Sequence, residues 1–311
     1  MNNKELIKKT LSISVLVITF ALFVYYIYNH ASDFRQISLI NPLWLTPLIV
    51  LFLASYYFTG LQTKVLLKPL GVRLKNIEVY MLSIVTGFYN IITPAHGGMG
   101  VRAVYLKKKH NFTYINFLSS LAGMYVITFF IASLSGLISF IYIYRVYNIF
   151  NWIILAVLLG LFIPLGLIIL VSPKFKETKS NFINRFIKVA NGWNLIRKNK
   201  KVVYFCLLVT ILNLIIGSVG AIISYHIFGI NLSFMQALFL TSIGSISLLV
   251  SITPGNLGVG EAVVVFSALI LGITPTQSLS VAILSRIIQM ISLFTLGPIF
   301  SYKLLKEKPG R

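Results

Sequence analysis

Acidic residues and cysteine are scarce in this chain of 311 residues. Six Asp and Glu stand against 27 Lys and Arg, and charged residues make up only 11% of the total. The single cysteine, Cys206, lies in an apolar run, so no intrachain disulfide can form and no ligand spacing for zinc is present. The sequence therefore predicts neither a disulfide framework nor a bound metal or other cofactor.

Signatures of catalysis are also missing. The chain contains no GxSxG, HExxH or paired DxD motif, and no phosphate-binding glycine loop between a strand and a helix. Their absence favours a transporter over an enzyme. The net charge of +21 could indicate nucleic-acid binding. However, the basic residues lie beside long apolar segments, which predicts no nucleic-acid partner.

Apolar residues dominate what is present. They form 57% of the chain, and the mean hydropathy is +0.89, which is typical of a polytopic membrane protein. Lysines precede the first apolar run, but that run has the length of a span and no small-residue cleavage site follows it, so an uncleaved helix is predicted. Six apolar segments have spanning length: 10–29, 43–66, 113–144, 151–171, 202–228 and 276–305.

A short stretch occurs twice in the chain, at an offset of 160 residues. Residues 92–104 read ITPAHGGMGVRAV, and residues 252–264 read ITPGNLGVGEAVV. Each copy interrupts an apolar segment, at 78–108 and 233–272, with proline and glycine. Paired interruptions at matching places in two halves of a chain indicate a transporter substrate site.

Each interrupted segment predicts a re-entrant helical hairpin. The arms 78–93 and 98–108 are too short to cross an average bilayer, so we expect them to dip in and return to the side they left. Irregular backbone at that depth is tolerated where it is buried in protein or lines a wet cavity.

The basic residues give the expected orientation. With six spans and two hairpins, 23 of the 27 Lys and Arg fall on one side, and only Arg35 and Arg145 fall on the other. This bias predicts a multi-pass protein of the cell membrane with both termini in the cytoplasm. Three crossings per half make the halves inverted repeats, 10–144 and 151–305, within one membrane domain, 1–311. The predicted fold class is an all-α polytopic membrane protein, with three transmembrane helices and one re-entrant hairpin in each half.

The segment 172–201 is predicted to form an amphipathic helix on the cytoplasmic surface. Its apolar residues follow helical spacing between lysines and arginines: Phe182, Phe186, Val189, Trp193 and Ile196. We expect this basic loop to be attracted to anionic lipid. The alternative is a solvated linker.

The hairpin tips are the first candidate binding site. A half-helix that begins after Gly97 and Gly98, or near residues 256–258, points free N–H groups and a positive dipole end into the protein, where an anion can bind. Glycine lets a headgroup approach the backbone closely. Thr93 and Thr253 precede prolines, so helices that begin a few residues earlier are the alternative.

Three charged residues are expected at membrane depth. Arg102 lies one turn into the returning arm of the first hairpin, and Arg286 lies inside the last span. Both suit bidentate phosphate contacts, although Arg102 could instead reach the surface beside Lys107. Glu261 follows the second glycine turn and could pair with Arg286, bind a cationic headgroup or carry a coupling proton.

Nearby polar residues complete the candidate set. His96 at the first tip could hydrogen-bond a phosphate or titrate, or be satisfied by backbone. Asn90 and Gln289, inside apolar segments, could join helices or line a cavity. Glu78, at the start of the first hairpin, is best explained as an interfacial helix cap.

The two repeated segments resemble the signatures of a known family. FYNIITPAHGGMGVRAVYL at 88–106 is similar to the first signature of the lysylphosphatidylglycerol synthase membrane-region family, the flippase-like integral membrane proteins. That signature has an Asn, then a Pro, glycines, and an Arg leading to Leu. ITPGNLGVGEAVVV at 252–265, followed by Gln277 and Arg286, is similar to the second signature. The resemblance covers about 10–305.

The resemblance implies a protein that handles lipid headgroups. Some members of the family carry a soluble aminoacyl-transferase domain and flip the aminoacyl-phosphatidylglycerol that it makes. Because the chain has no such domain after Leu305, we expect the flippase half alone. The substrate-binding residues implied by position are Asn90, Pro94, Gly98, Arg102, Pro254, Gly258, Glu261 and Arg286, and His96 joins them at the hairpin tip.

The sequence thus predicts a translocase that moves a lipid with a phosphate headgroup, such as aminoacyl-phosphatidylglycerol, between leaflets as the two halves rock. One alternative is a transporter for polyprenyl-phosphate or a lipid-linked sugar. Another is a non-transporting membrane subunit of an aminoacyl-lipid or glycosyl transferase. A third is an ion or solute channel, against which the scarcity of acidic residues argues. A soluble transferase partner and a homo-oligomer are both compatible with the sequence.

Overall fold

The computed structural model describes residues 41–93, 96–171, 175–176, 178, 180–250 and 253–306. Short 3-10 turns and loops join the helices of this part of the chain, and no strand occurs in it. Its ten α-helices are α1 (Leu45–Leu67), α2 (Asn76–Ile92), α3 (Gly97–His110), α4 (Tyr114–Tyr147), α5 (Trp152–Leu170), α6 (Asn181–Lys198), α7 (Lys200–Ile227), α8 (Phe234–Ile246), α9 (Val259–Ile270) and α10 (Pro275–Lys306).

Five helices are long and apolar enough to cross a membrane: α1 with the turn that follows it, α4, α5, α7 and α10. Each one matches a spanning segment predicted from the sequence. The first predicted span, 10–29, lies outside the described residues. The chain is therefore a helical, multi-pass membrane protein.

The helix ends follow from local sequence. Side-chain oxygens cap the N-termini of α4, α5, α7 and α8: Thr113, Asn151, Asn199 and Ser233. At their C-termini, α3 and α4 are followed by Asn111 and Asn148, whose backbone is left-handed, a conformation that asparagine tolerates well. These short signals place the helix boundaries close to those expected from the apolar pattern.

Both interrupted segments form pairs of short helices. The break between α2 and α3 falls at 93–96, and α3 begins at Gly97 rather than at the preceding Thr-Pro pair. The break between α8 and α9 contains two 3-10 turns, Ser247–Val250 and Pro254–Asn256, before α9 begins at Val259. α3 thus begins at Gly97 itself, two residues before the predicted start after Gly97 and Gly98, whereas α9 begins directly after Gly258, as expected. The earlier start at the Thr-Pro pair is wrong for α3.

The helices pack in a reciprocal pattern. α1 packs along α7, α2 packs against α10, and α8 packs against α4. In addition, α2 lies beside α1 and α8 lies beside α7. The first short helix of each pair, α2 or α8, therefore packs against the last long helix of the other half. This arrangement brings both chain breaks into the middle of the bundle.

The segment predicted to lie on the membrane surface forms α6. Trp193 and Ile196 on this helix are buried in a cluster with Leu66, Met124 and Cys206, so this face contacts the helical bundle rather than lipid. Phe186 remains 64% exposed. α6 therefore anchors on the protein through one face and exposes the apolar Phe186 on another.

A polar contact also fixes the end of α5. The Arg197 guanidinium donates hydrogen bonds to the carbonyl oxygens of Ile169 and Val171, at 2.7 and 3.3 Å. It also donates to the carbonyl of Leu170. These are the carbonyls that a helix C-terminus leaves without partners, and a cation there complements the helix dipole. α6 thereby holds the end of the peripheral helix α5.

Candidate functional site

A cavity of about 610 Å³ lies between the two chain breaks. It is lined by α1, α2, α7, α8, α9 and α10, and its polar lining includes Asn90, His96 and Asn256. Its volume lies within the range of sites that hold small molecules or headgroups. Proline and glycine interrupt the helices at this point, so side chains from both breaks face a common space.

An ion pair between Glu261 and Arg286 lines this cavity. Glu261 lies in the first turn of α9, and its Oε1 is 2.5 Å from Arg286 Nη2 and 3.1 Å from Nε. Arg286 Nη1 also donates to the carbonyl of Gly255 at 2.6 Å and to Gln289 Oε1 at 2.9 Å. The side chains are 12% and 16% exposed for Arg286 and Glu261. The pairing of these two residues was one of the predicted options.

Glu261 also completes the helix terminus on which it lies. Its Oε2 accepts a hydrogen bond of 2.7 Å from the backbone N–H of Gly258, the N-cap residue of α9. Gly258 has φ of +81°, a conformation that strongly favours glycine. A carboxylate in the first helical turn also interacts favourably with the dipole. One carboxylate thus caps α9 with one oxygen and neutralises Arg286 with the other.

Three buried polar atoms on cavity residues at or beside the two chain breaks have no hydrogen-bond partner. They are Asn90 Oδ1, His96 Nε2 and Asn256 Oδ1. His96 and Asn256 occupy equivalent positions in the two repeated stretches, and both have positive φ, +55° and +59°. Leaving such atoms unpaired costs about 1–3 kcal/mol each. Their residues line the cavity, where a polar ligand could supply the missing partners.

Arg102 does not line the cavity between the two chain breaks. It is 3% exposed, and its Nε and Nη1 donate to Thr86 Oγ1 at 3.0 Å and Thr63 Oγ1 at 3.2 Å. A reach to the surface beside Lys107, the alternative from the sequence, is therefore wrong. Arg102 borders a separate small cavity of about 10 Å³, which also includes Ser120.

The other predicted positions have different surroundings. Gly98 packs so closely on α2 that a Cβ there would overlap the Thr86 carbonyl oxygen. Pro254 begins a 3-10 turn between α8 and α9. Pro94 lies outside the described residues. The structure therefore brings Asn90, His96, Glu261 and Arg286 to one cavity and places Arg102 apart from it.

Several cavity residues were missed from the sequence. Ser55 and Tyr56 on α1, Ser245 in the last turn of α8, and Ser285 on α10 all line the same space. Small hydroxyl residues are common in membrane helices, where they bond to their own backbone, so each one alone carries little signal. For Ser55, the signal that could have found it is the four-residue spacing of Ser55, Thr59 and Thr63 along one face of α1.

A second charged cluster lies at the other ends of α2 and α3. Glu78 Oε1 accepts a hydrogen bond from Tyr105 Oη at 2.7 Å and lies 2.8 Å from His110 Nε2 and 3.2 Å from Lys109 Nζ. Glu78 Oε2 also lies 3.4 Å from the backbone nitrogen of Lys75, so the predicted helix cap is present. Burial alone would raise the pKa of Glu78. The hydrogen bonds and charge of these partners have the larger combined effect and lower the pKa to about 2.

No metal site is evident in the described part of the chain, since no group of three or more His, Cys, Asp or Glu side chains is close enough to hold an ion. The charged groups of the cavity are Glu261 and Arg286, which neutralise one another. The site can therefore exchange ionic and hydrogen-bonding partners with a ligand. An ion pair of this kind can bind a ligand that carries complementary charged groups, and the remaining lining of the cavity is largely apolar.

Comparison with known proteins agrees with the resemblance seen in the motifs. The family described as "Lysylphosphatidylglycerol synthase TM region" matches residues 11–297 of the chain. No curated protein matches it. The matched region includes both repeated stretches and every residue around the cavity. Because the match extends over most of the 311 residues, the chain belongs to the lysylphosphatidylglycerol synthase TM-region family.

Proposed function

We propose that the protein is a lipid translocase that moves a lipid with a phosphate headgroup between the two leaflets of the cell membrane, and that it is a transporter rather than an enzyme. The observation that carries this proposal is the cavity at the two chain breaks, with the Glu261–Arg286 pair in its wall. A charged pair inside a bundle of membrane-spanning helices is expensive and marks a substrate path in many transporters.

The reciprocal packing of the helices supports an inverted repeat. Under an offset of 160 residues, α1 corresponds to α7, α2 to α8 and α4 to α10. The contact of α2 with α10 then corresponds to that of α8 with α4, while α1 and α7 contact one another. A pseudo-two-fold axis between α1 and α7 would produce this pattern. Such an axis lies in the membrane plane when the halves are inverted.

The lengths of the short helices support re-entrant hairpins. α2 has 17 residues, α8 has 13 and α9 has 12. At 1.5 Å per residue, these helices are roughly 18–26 Å long, which is less than the ~30 Å of a hydrocarbon core. Each pair would therefore dip to the level of the cavity and return, with the N-terminus of α3 or α9 near the bilayer midplane.

Binding would proceed by exchange of ionic partners. A headgroup phosphate would replace the Glu261 carboxylate on Arg286, since a guanidinium binds either group through paired hydrogen bonds. The displaced carboxylate would then bind a cationic group of the same headgroup. A headgroup that carries both a phosphate and an amine, as in an aminoacyl-phosphatidylglycerol, satisfies both residues. A purely anionic headgroup leaves Glu261 unpaired and should bind less well.

The test is a translocation assay with the purified protein in liposomes. Fluorescent phosphatidylglycerol, aminoacyl-phosphatidylglycerol and polyprenyl-phosphate probes are placed in both leaflets, and dithionite quenches the outer one. We expect the native protein to speed the loss of inner-leaflet fluorescence, most for the aminoacyl lipid. The double variant Glu261→Gln, Arg286→Gln should lose this activity, whereas Arg145→Gln, at an exposed position, should keep it.

The possible results separate the parts of the proposal. Unchanged lipid movement in the double variant would show that the assigned pair does not bind the headgroup. If only the polyprenyl-phosphate probe moves, the substrate is of that class. If folded native protein moves no probe faster than empty liposomes do, translocation is wrong, and a membrane subunit that co-purifies with a soluble transferase becomes the expected role.

A further inference from the structure

The cavity between the two chain breaks occupies only one half of the length of the helical bundle. It is lined by the first turns of α1, from Leu48 to Tyr56, by the last turns of α7, and by the part of α10 from Val281 to Gln289. The opposite ends of α1 and α3 carry basic residues such as Lys64 and Lys107. The cavity is thus displaced away from the basic side of the protein.

Between the cavity and the basic side the bundle is closed by apolar packing. One cluster there contains Leu67, Leu82, Leu106 and Phe117, each at most 6% exposed. A second cluster, around Ile127 and the docked α6, lies alongside it. The structure therefore represents a state that is sealed on the basic side.

Polar groups nevertheless run through this sealed half. Ser55 lines the cavity, Thr59 donates to the Ser55 carbonyl, and Thr63 donates to the Thr59 carbonyl, each at 3.0 Å. Arg102 then donates to Thr63, and beside it Gln62 donates to Thr210 at 3.1 Å. We name this set the polar seam: Ser55, Thr59, Gln62, Thr63, Arg102, Thr210 and Asn213.

Within the described part of the chain, no group of opposite charge balances the guanidinium at the end of the polar seam. No carboxylate among the described residues contacts Arg102, whose hydrogen-bond partners are the hydroxyls of Thr63 and Thr86. Asn213 Oδ1 in the same seam is buried and has no partner. An uncompensated buried guanidinium is among the most costly groups in a protein, and it is stabilised by an anion. By contrast, Arg286 already has Glu261.

We propose that the polar seam is the closed half of the translocation path and that Arg102 is a second, occluded site for the headgroup phosphate. This inference rests on the proposed lipid translocation. The cavity beside Arg102, about 10 Å³, has room for about one water molecule, so a phosphate reaches it only after the helices around the seam separate. The phosphate would pass from Arg286 to Arg102 as the seam opens toward the basic side.

The single cysteine of the chain provides a natural reporter of this opening. Cys206 is 0% exposed, and its Sγ lies 4.0 Å from the Gln62 carbonyl oxygen, at the edge of the seam. A thiol in this position should not react with a water-soluble maleimide while the seam is closed. When α1 and α7 separate, water and the reagent reach it.

The experiment measures maleimide labelling of Cys206 in the full-length protein, reconstituted in vesicles of neutral, phosphate-free galactolipid with or without phosphatidylglycerol. We expect labelling to be about tenfold faster or more with phosphatidylglycerol, as binding at Arg102 favours the open seam. Inorganic phosphate is the comparison ligand, because an effect of phosphate alone would assign the site to a free anion. The variant Cys206→Ala controls for labelling elsewhere.

A second measurement uses Arg102→Lys and Arg102→Gln in the translocation assay. Lysine keeps the charge and should retain part of the activity, whereas glutamine should reduce the rate about tenfold or more. If Arg102→Gln loses translocation but phosphatidylglycerol does not speed Cys206 labelling in the native protein, the loss reflects structural damage, and the proposal is overturned. A second result would also overturn it. If the native protein moves lipid, its Cys206 labelling rate does not depend on phosphatidylglycerol, and Arg102→Gln moves lipid as fast as the native protein, then the polar seam is not the translocation path. A labelling response without lipid movement would instead refute translocation and keep the site.

Discussion

Arg102 and Arg286 show two ways in which a helical bundle holds a guanidinium. Arg286 is paired with Glu261 and also bonds to the Gly255 carbonyl and to Gln289. Arg102 has only the hydroxyls of Thr63 and Thr86 as described partners. The first arrangement is electrically neutral, whereas in the second no described carboxylate balances the charge of the guanidinium.

The Glu261–Arg286 pair should make a measurable contribution to stability. Either single change, Glu261→Gln or Arg286→Gln, leaves a largely buried charge without its partner and should lower the free energy of unfolding by about 3 kcal/mol. The double variant should lose less than the sum, since neither charge is then unpaired. Denaturant unfolding in mixed micelles gives the four free energies of this cycle. Additive losses would contradict the pairing.

Much of the candidate site could be predicted residue by residue, because charged residues are rare inside membrane helices and the Pro and Gly interruption occurs twice at matching places. The repeat pointed to Glu261, and the pairing with Arg286 was among its expected roles. The separate location of Arg102 could not be predicted, since it depends on how α3 turns against α1 and α2. Ser285 and Tyr56 were missed because residues with hydroxyl groups occur throughout the helices of this chain, so a single one carries little information.

At the level of elements, the α2–α3 pair depends on close contact at its break. A Cβ on Gly98 would overlap the Thr86 carbonyl oxygen and lie 2.9 Å from the Asn90 backbone nitrogen, whereas a Cβ on Gly100 would meet nothing within 4 Å. Gly98→Ala should therefore lower the thermal midpoint by several degrees or more, since backbone atoms must move.

Gly100→Ala is the matched control in the same helix. Alanine favours the helix over glycine by about 1 kcal/mol, so this variant should be neutral or slightly more stable. Thermal unfolding in detergent, followed by circular dichroism, compares the two. Equal midpoints for both variants would mean that α3 does not pack on α2 at Gly98.

The Glu78 cluster joins the far ends of the same two helices, outside the five helices that can cross a membrane. The pKa of Glu78, about 2, is below the usual value of 4.5. The ionised carboxylate therefore stabilises the folded state above pH 4.5, and this contribution is lost as the pH falls toward 2. Glu78→Gln should lower the thermal midpoint at neutral pH, and the midpoint of this variant should change less than that of the native protein between pH 4.5 and 2. Thermal midpoints that fall in parallel for both proteins in this interval would refute the prediction.

On the scale of the whole molecule, the re-entrant hairpins have a direct test. Single cysteines are placed in a Cys206→Ala background at exposed sites that flank each short-helix pair: Arg73 and Lys108, and Asn231 and Thr276. If each pair returns to its starting side, a membrane-impermeant thiol reagent labels Arg73→Cys and Lys108→Cys from one side. It labels Asn231→Cys and Thr276→Cys from the other side. Labelling of the two sites of one pair from opposite sides would mean that this pair crosses the membrane.

The broad fold could be predicted because length and apolar content nearly determine a membrane helix. Five predicted spans correspond to α1, α4, α5, α7 and α10, and both breaks fall where Pro and Gly recur. The packing partners could not be predicted, since the contacts of α2 with α10 join residues far apart in the chain. The docking of Trp193 into the bundle was missed for the same reason, because a helical pattern does not say which surface covers it.

The exchange of short helices between halves also bears on how such a chain could arise. α2 is covered by α10 and α8 by α4, so a polypeptide of one half would leave its first short helix without the surface that covers it. Under the proposed inverted repeat, an ancestor with a single copy would have needed a sister subunit inserted in the opposite direction. Gene fusion would then make that partnership permanent, and each copy could diverge: the first has His96 at the position where the second has Asn256.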